Sequence, residues 1–149
     1  MNRPPQGFSL VELLVVIAIV AILLTIGYRG LVAYLEAQRL REAAENVKNV
    51  LFEARNRASL ESQGYRLKVC GDNRMGFVQE GAGDPCTATV MQLPYGIQVE
   101  MKDGLCQNPK SVLRFTGRGL PVEARCFTLS YRSKQRKVAI LATGKVVMP

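Results

Sequence analysis

The feature that most constrains this chain is an unbroken apolar run near its N-terminus, Phe8–Ile26, which reads FSLVELLVVIAIVAILLTI. As a helix rising ~1.5 Å per residue, the run is about long enough to cross the ~30 Å hydrocarbon core of a bilayer. It contains one ionisable residue, Glu12. Because a carboxylate inside lipid costs on the order of 3 kcal/mol or more, we treat Glu12 as a functional candidate.

Three interpretations of this N-terminal region compete. An ordinary secretory signal peptide would have a positive start, here Arg3, and a small-residue cleavage site after its apolar centre. No A-x-A site follows the run, which instead leads into Tyr28 and Arg29. A plain membrane anchor fits the length and the flanks but does not explain Glu12. The third interpretation also uses the residues that directly precede the run.

The segment Gly7-Phe8-Ser9-Leu10-Val11-Glu12, followed by the apolar run, resembles the type III signal of type IV prepilins and type II secretion pseudopilins. In that family a membrane peptidase cuts directly after the glycine, and the new N-terminal residue is usually N-methylated. The resemblance therefore implies cleavage between Gly7 and Phe8, N-methylation of Phe8, and an assembly role for Glu12.

The spacing between Phe8 and Glu12 has a simple electrostatic rationale. Cleavage would leave a cationic amino group at the end of an apolar helix, where an unpaired charge is costly. The negative charge of Glu12 is equally costly when it stays unpaired in the same apolar surroundings. A pair between Glu12 of one subunit and the amine of Phe8 on its neighbour would satisfy both charges and fix the axial register. Pairing within one chain is the alternative, and the sequence leaves both open.

The resemblance divides the chain into a leader peptide (residues 1–7), a transmembrane and assembly helix (8–30) and a periplasmic head (31–149). Residues 33–63 contain no proline or glycine, which predicts one long helix from about Phe8 to Gln63 that stops at Gly64. Gly27 and Gly30 are candidates for a bend or a local melting point. Apolar residues recur at three- and four-residue steps and predict one buried face: Leu40, Ala43, Val47, Val50, Leu51, Ala54 and Ala58.

After Gly64 the pattern changes to short alternating segments separated by turn residues, which predicts strands. We infer an antiparallel sheet domain resting on the helix, an α+β fold. The candidate strands are Tyr65–Cys70, Gly76–Glu80, Ala88–Leu93, Gly96–Met101, Val112–Phe115, Arg125–Tyr131, Lys137–Leu141 and Lys145–Met148.

Four cysteines lie in the predicted head, and all of them follow the apolar run. An even count in that position suits an oxidising compartment and two disulfides. Three pairings are open, and we prefer the one between sequence neighbours, Cys70–Cys86 and Cys106–Cys126.

The C-terminal half is similar to GspH/FimT-type minor pilins and pseudopilins. The similar segments there are an F-x-x-x-G stretch within Val112–Gly119 and the closing segment Ala139–Val147. Earlier in the chain, Ala54–Ala58 also resembles these proteins. Major pilins usually close a loop with a disulfide near the C-terminus. The last cysteine here, Cys126, lies well before the end, which favours a minor subunit.

No catalytic motif is visible, and the chain contains no histidine, the commonest general base and metal ligand. We therefore expect that the chain is not an enzyme and that it has no metal site and no cofactor. The expected function is that of a minor pilin or pseudopilin, a structural subunit of a type IV pilus or a type II secretion pseudopilus. The implied partners are other pilins, a prepilin peptidase, the inner-membrane assembly platform and membrane lipid. The implied location is the inner membrane, with the head in the periplasm, and then the pilus or pseudopilus, which can reach the cell surface.

Two other hypotheses stay open, and the first of them rests on a formal charge of +8 and a pI near 9.6. One is a DNA-binding minor pilin for natural transformation, because clustered cations neutralise phosphates. Its candidate residues form one loop-like run, YRSKQRK: Arg132, Lys134, Arg136 and Lys137. The other is a major pilus subunit, since a sequence does not report copy number.

Overall fold

The structure is a computed structural model that describes residues 9–71, 73–94 and 96–148. The chain divides into two compact units, Met1–Leu35 and Glu36–Pro149. Within the described residues, the element order is one helix, α1, followed by eight strands.

Helix α1 runs from Leu10 to Glu61 without a break, which confirms the predicted long helix. The predicted start, Phe8, lies outside the described residues. Gly27 and Gly30 both lie inside the helix. The stretch of α1 near the N-terminus has a mean hydropathy of 2.9 over its most apolar 18 residues and is long and apolar enough to span a membrane. Its large side chains are exposed.

The C-terminal end of α1 differs from the prediction. Ser62, not Gly64, adopts the left-handed conformation that ends the helix, with φ of 53°. The amide of Gln63 donates to the carbonyl of Ala58 at 3.2 Å, the six-to-one bond of a Schellman motif. Gly64 lies just beyond the helix, and its carbonyl accepts from the Glu80 amide at 2.7 Å.

The head contains two four-stranded antiparallel sheets, where the sequence predicted one sheet domain. Sheet A has the strand order β3-β2-β1-β5 and sheet B the order β4-β6-β7-β8. The strands are β1 (Tyr65–Val69), β2 (Arg74–Gln79), β3 (Thr89–Gln92), β4 (Gln98–Asp103), β5 (Val112–Phe115), β6 (Arg125–Tyr131), β7 (Lys134–Ile140) and β8 (Val146–Val147).

Strands β5 and β6 have the predicted bounds, but β7 begins at Lys134 and not at Lys137. Tyr131 pairs with Lys134, so that Arg132 and Ser133 alone form the turn of a β6–β7 hairpin. Arg132 takes a positive φ of 53° without being glycine. This turn contains no glycine or asparagine, the residues that usually mark a two-residue hairpin turn. The sequence pattern therefore predicts the start of β7 three residues too late.

One hydrophobic core lies between α1 and the two sheets. All seven residues of the predicted helix face are buried, as Leu40 and Ala58 illustrate at its two ends. Sheet A contributes Leu67, Leu113 and Phe115, and sheet B contributes Phe127, Leu129 and Val138. The three-and-four-residue periodicity in this part of the helix therefore correctly identified its buried face.

Two disulfides tie loops to the sheets, and their pairing is the one preferred from the sequence. Cys70 joins Cys86 with a Cα–Cα distance of 5.5 Å, and Cys106 joins Cys126 with 5.2 Å. The first closes the loop that follows β2, and the second attaches the loop after β4 to β6.

Candidate functional site

The predicted assembly site lies at the start of α1. Gly7 and Phe8, the predicted cleavage and methylation residues, lie outside the described residues. Glu12 is in the first helical turn, where the amide of Leu13 donates to the carbonyl of Ser9 at 3.2 Å. A carboxylate is favoured there by the partial positive charge of the helix N-terminus.

Apolar side chains surround Glu12 along the helix. Leu10, Val11, Leu13 and Leu14 are all more than half exposed, as are many residues further along this stretch. This arrangement of one carboxylate in a continuous apolar helix surface can anchor the chain in lipid or pack against other apolar helices. Glu12 would then have to be neutralised or paired by a cation.

Arg55 lies where the three segments that resemble GspH/FimT-type proteins meet. Its Nη1 donates to the carbonyl of Gly144 at 3.1 Å, in the turn between β7 and β8. Its own backbone packs against Gly119, where an added Cβ would lie 2.9 Å from the Arg55 carbonyl oxygen. Gly119 has φ of +71° and Gly144 has φ of +80°. We call Arg55, Gly119 and Gly144 the Arg55 junction.

The F-x-x-x-G stretch has a structural explanation in this junction. Phe115 is buried in the core, and Gly119 allows the following turn to approach α1. Thr116 closes the turn, since its amide donates to the Leu120 carbonyl at 2.8 Å and its carbonyl accepts from Gly119. Gly117 packs against the end of α1, where a Cβ would lie 2.6 Å from the Ser62 carbonyl. The motif thus docks sheet A onto the helix.

The predicted DNA-binding run is a hairpin and not a loop, which corrects the sequence interpretation. Arg132 Nη1 lies 2.8 Å from Glu36 Oε1, and Lys134 Nζ lies 3.7 Å from Glu36 Oε2. Two of the four predicted cations therefore share one acidic residue on α1. Arg39 donates to the Tyr131 hydroxyl at 2.6 Å beside them.

The two remaining cations, Arg136 and Lys137, lie on opposite faces of β7, because side chains alternate between the two faces of a strand. Lys134 and Arg136 lie on the face that continues into buried Val138, and Lys137 lies on the opposite face and is exposed. A groove of about 530 Å³ runs beside the hairpin, lined by Ala37, Leu40, Lys134, Gln135, Arg136 and Lys137. The structure therefore brings Arg132, Lys134 and Arg136 towards α1 and does not form a single open row of four cations.

Aspartates stabilise both disulfide loops, a feature that the sequence analysis missed. Asp84 Oδ1 accepts from the amide of Cys86 at 3.1 Å, and this bond holds the pKa of Asp84 below its usual value. Asp103 Oδ1 accepts from the amide of Gln107 at 2.9 Å and Oδ2 from Asn108 Nδ2 at 2.7 Å, and its pKa is likewise lowered, chiefly by the Gln107 amide. Aspartate before a turn was the available signal.

In the part of the chain that the structure describes, no three His, Cys, Asp or Glu side chains are grouped so as to hold a metal ion. The contacts of Arg55 and Glu36 were also missed by sequence reasoning. Both depend on residues about ninety positions away along the chain, and a local pattern does not report such contacts.

Comparison with known proteins adds one sequence match and two structural similarities. Residues 2–28 match a family model described as the prokaryotic N-terminal methylation motif. The structure is similar to the type IV minor pilin FimU of Pseudomonas aeruginosa, with a TM-score of 0.64 and 17% identity over 78% of this chain and 92% of that chain.

It is also similar to the minor pseudopilin EpsH from the type 2 secretion system of Vibrio cholerae, with a TM-score of 0.58 and 15% identity over 74% of this chain and 94% of that chain. A search of curated proteins gives no significant match. At these identities the structural similarity establishes the fold. The chain thus combines a prokaryotic N-terminal methylation motif with a type IV pilin-like fold.

Proposed function

We propose that this chain is a minor pilin or pseudopilin, a subunit of a type IV pilus or a type II secretion pseudopilus. The observation that carries the proposal is the methylation motif at residues 2–28, joined to an exposed apolar helix and a pilin-like head. In this proposal a prepilin peptidase cuts between Gly7 and Phe8, Phe8 is N-methylated, and α1 enters a bundle of like helices. The chain is then a substrate of the prepilin peptidase and afterwards a structural subunit of the filament.

The apolar part of α1 anchors the chain in the inner membrane before assembly, and the head faces the periplasm. One observation supports the anchoring and another supports the orientation. The apolar stretch is long enough to span lipid. The head holds two disulfides, which persist in oxidising compartments such as the periplasm. Lipid and the inner-membrane assembly platform are the partners at this stage, and other pilins or pseudopilins are the partners afterwards.

Glu12 carries the assembly step in this proposal. The amino group freed at Phe8 is cationic, and either the same chain or a neighbour brings it to the Glu12 carboxylate. Breaking a buried ion pair by removing one partner costs about 3–5 kcal/mol, because the other charge stays buried and unpaired. Loss of Glu12 should therefore affect incorporation into filaments more than insertion into the membrane.

Filament incorporation tests the proposal. Glu12→Ala is compared with Glu42→Ala, which removes an exposed carboxylate further along the same helix. Sheared filaments or overproduced pseudopili are collected and the chain is quantified by immunoblot beside the membrane fraction. We expect Glu12→Ala to reach the membrane at normal levels and to fall at least about tenfold in filaments, with Glu42→Ala unchanged. Normal incorporation of Glu12→Ala would refute the role.

DNA binding at the β6–β7 hairpin is a second candidate, because Lys134, Arg136 and Lys137 line one groove beside the hairpin. A gel shift of the full chain in detergent across a salt series tests it, since phosphate contacts give steep salt dependence. The test variant replaces Lys134, Arg136 and Lys137 with alanine, and the control replaces Arg66, Lys68 and Arg114. A loss of DNA binding in the test variant and not in the control supports this candidate. No DNA binding by the wild type at low salt, or an equal loss of binding in both variants, rejects it.

A major-subunit role is the remaining alternative to a minor one. Copy number in the sheared filaments of the same experiment distinguishes the two. A chain present at a small fraction of the main subunit is a minor component, and a chain that forms the bulk of the filament is a major one.

A further inference from the structure

The outer face of sheet A carries two arginines directly opposite each other. On β1 the buried Tyr65 and Leu67 alternate with Arg66 and Lys68, and on β5 Arg114 lies between the buried Leu113 and Phe115. Arg66 and Arg114 are register partners. Opposite side chains on antiparallel strands have Cβ atoms about 4.5–5.5 Å apart, and like charges in that position are destabilising. The fold keeps this pair despite the repulsion.

A loop held by a disulfide forms one wall beside this pair. Gly81–Cys86 folds back over sheet A and is tied to the end of β1 by Cys70–Cys86. Gly76 on β2 has no room for a Cβ because the Pro85 carbonyl occupies that space. The loop encloses a depression of about 330 Å³, lined by Arg66, Lys68, Gly83, Asp84, Pro85 and Val112.

A second depression of about 360 Å³ adjoins the first at Val112. It is lined by Lys110, Ser111, Val112, Arg114, Val122, Glu123 and Arg125. Arg125 is already satisfied, since its Nη1 lies 2.6 Å from Glu123 and donates to the Ala124 carbonyl. The pKa of Glu123 is held below its usual value, foremost by Arg125 and further by Lys110 and Arg114. Arg125, Lys110 and Arg114 therefore all lie close enough to one carboxylate to form a single positively charged surface.

The two opposed arginines retain unused donor capacity. Arg66 Nη2 donates to the Gly83 carbonyl at 2.7 Å, but its buried Nε has no hydrogen-bond partner among the described residues. Arg114 Nε lies 3.8 Å from Glu80, and both side chains are at least half exposed, so that this pair is weak. Guanidinium groups bind carboxylates through two parallel N–H donors. Each guanidinium carries five N–H donors, so Arg66 and Arg114 can each bind a further anion besides the contacts above.

We infer that this face, the Arg66–Arg114 patch, binds an acidic segment of a partner protein, whose carboxylates lie between the two guanidinium groups. Asp84 and Glu123 flank the patch on its two sides. Phosphates fixed in a nucleic-acid backbone would lie close to these two acids and be repelled, whereas the carboxylates of a peptide are carried on flexible side chains that can turn away from them. The patch therefore fits a protein partner better than nucleic acid. This inference does not depend on leader cleavage or on filament assembly.

Fluorescence anisotropy of a labelled octaglutamate peptide tests the inference on the full-length chain in nonionic detergent at low salt. The test variant is Arg66→Gln/Arg114→Gln. The matched control, Arg132→Gln/Lys134→Gln, removes the same charge from the β6–β7 hairpin of sheet B. We expect the test variant to weaken peptide binding at least about tenfold and the control to change it less than about twofold. Arg114→Gln alone, which removes an exposed side chain, should give an intermediate loss and guards against misfolding of the double variant.

Three results would overturn the inference. An equal loss in both double variants would show attraction by net charge only. Unchanged peptide binding in Arg66→Gln/Arg114→Gln would show that the patch is not the site. A labelled DNA duplex that displaces the peptide, and whose own binding falls in the same variant, would show a phosphate-binding face and not a protein-binding one.

Discussion

At the scale of single residues, the Arg55 junction shows why glycine is required at Gly119. The residue has a positive φ, and a Cβ added to it would lie 2.9 Å from the Arg55 carbonyl oxygen. The F-x-x-x-G stretch was recognised from the sequence as a resemblance, but its partner on the helix was not, because Arg55 is far away along the chain. The structure supplies the physical reason for the motif.

We predict that Gly119→Ala destabilises the head more than Gly81→Ala. Both positions have positive φ, which costs alanine roughly 1–2 kcal/mol. Gly81 faces open space, and a Cβ at Gly119 would approach the Arg55 carbonyl to 2.9 Å. The close contact should add about 1–3 kcal/mol. Urea denaturation followed by circular dichroism measures both, and equal losses would contradict the proposed role of the junction.

We also predict that Arg114→Gln does not destabilise the fold. The substitution removes like-charge repulsion from Arg66, which is worth about 0.2–1 kcal/mol in cross-strand pairs. The lost contact to Glu80 is long and exposed and contributes little. The melting temperature should stay equal or rise, with Arg118→Gln in the next turn as the exposed control. A clear fall in Arg114→Gln only would mean that Arg114 is structural.

The lowered pKa of Asp103 predicts an acid-dependent loss of stability. A carboxyl whose pKa is depressed in the folded state contributes stability above its unfolded value, near 3.8, and loses it as the pH falls through the folded pKa. Asp103→Asn should therefore be less stable than the wild type at neutral pH, and the gap should narrow below about pH 4. Melting temperatures across pH 2–7 check this; a constant gap would contradict it.

At the scale of elements, local patterns predicted the helix and most strands because both depend on nearest neighbours along the chain. The spacing from Leu40 to Ala58 correctly identified the buried face, and β5 and β6 have the predicted bounds. The division into two sheets was not predictable in this way. It depends on β1 pairing with β5, which joins Tyr65 to Phe115 across the whole intervening chain.

The two disulfides should contribute similarly to stability but differently to binding. Their sequence separations are 16 and 20, so chain-entropy arguments give each about 3 kcal/mol. We predict that Cys70→Ala/Cys86→Ala weakens octaglutamate binding because the loop wall beside Arg66 is released. Cys106→Ala/Cys126→Ala should lose comparable stability and retain binding. Anisotropy and urea denaturation on both variants distinguish these effects, and equal binding losses would contradict the role of the loop.

At the scale of the whole molecule, the pilin-like assignment was available from the sequence, since the motif at Gly7–Glu12 and the apolar run are local. The candidate binding surfaces on the head could not be predicted as well from the sequence. The run YRSKQRK suggested one cationic loop, but strand alternation and Glu36 divide those cations. The Arg66–Arg114 patch went unnoticed because its two arginines are remote in sequence and become neighbours only through strand pairing.

The mass of the mature N-terminus tests the central claim most directly. The chain is recovered from cells with and without a prepilin peptidase and analysed by intact-mass and N-terminal fragment mass spectrometry, with Gly7→Arg as the uncleavable control. The account predicts a chain that begins at Phe8 and carries one added methyl group, only when the peptidase is present. Retention of Met1 in peptidase-containing cells, or a start downstream of Ile26, would contradict it.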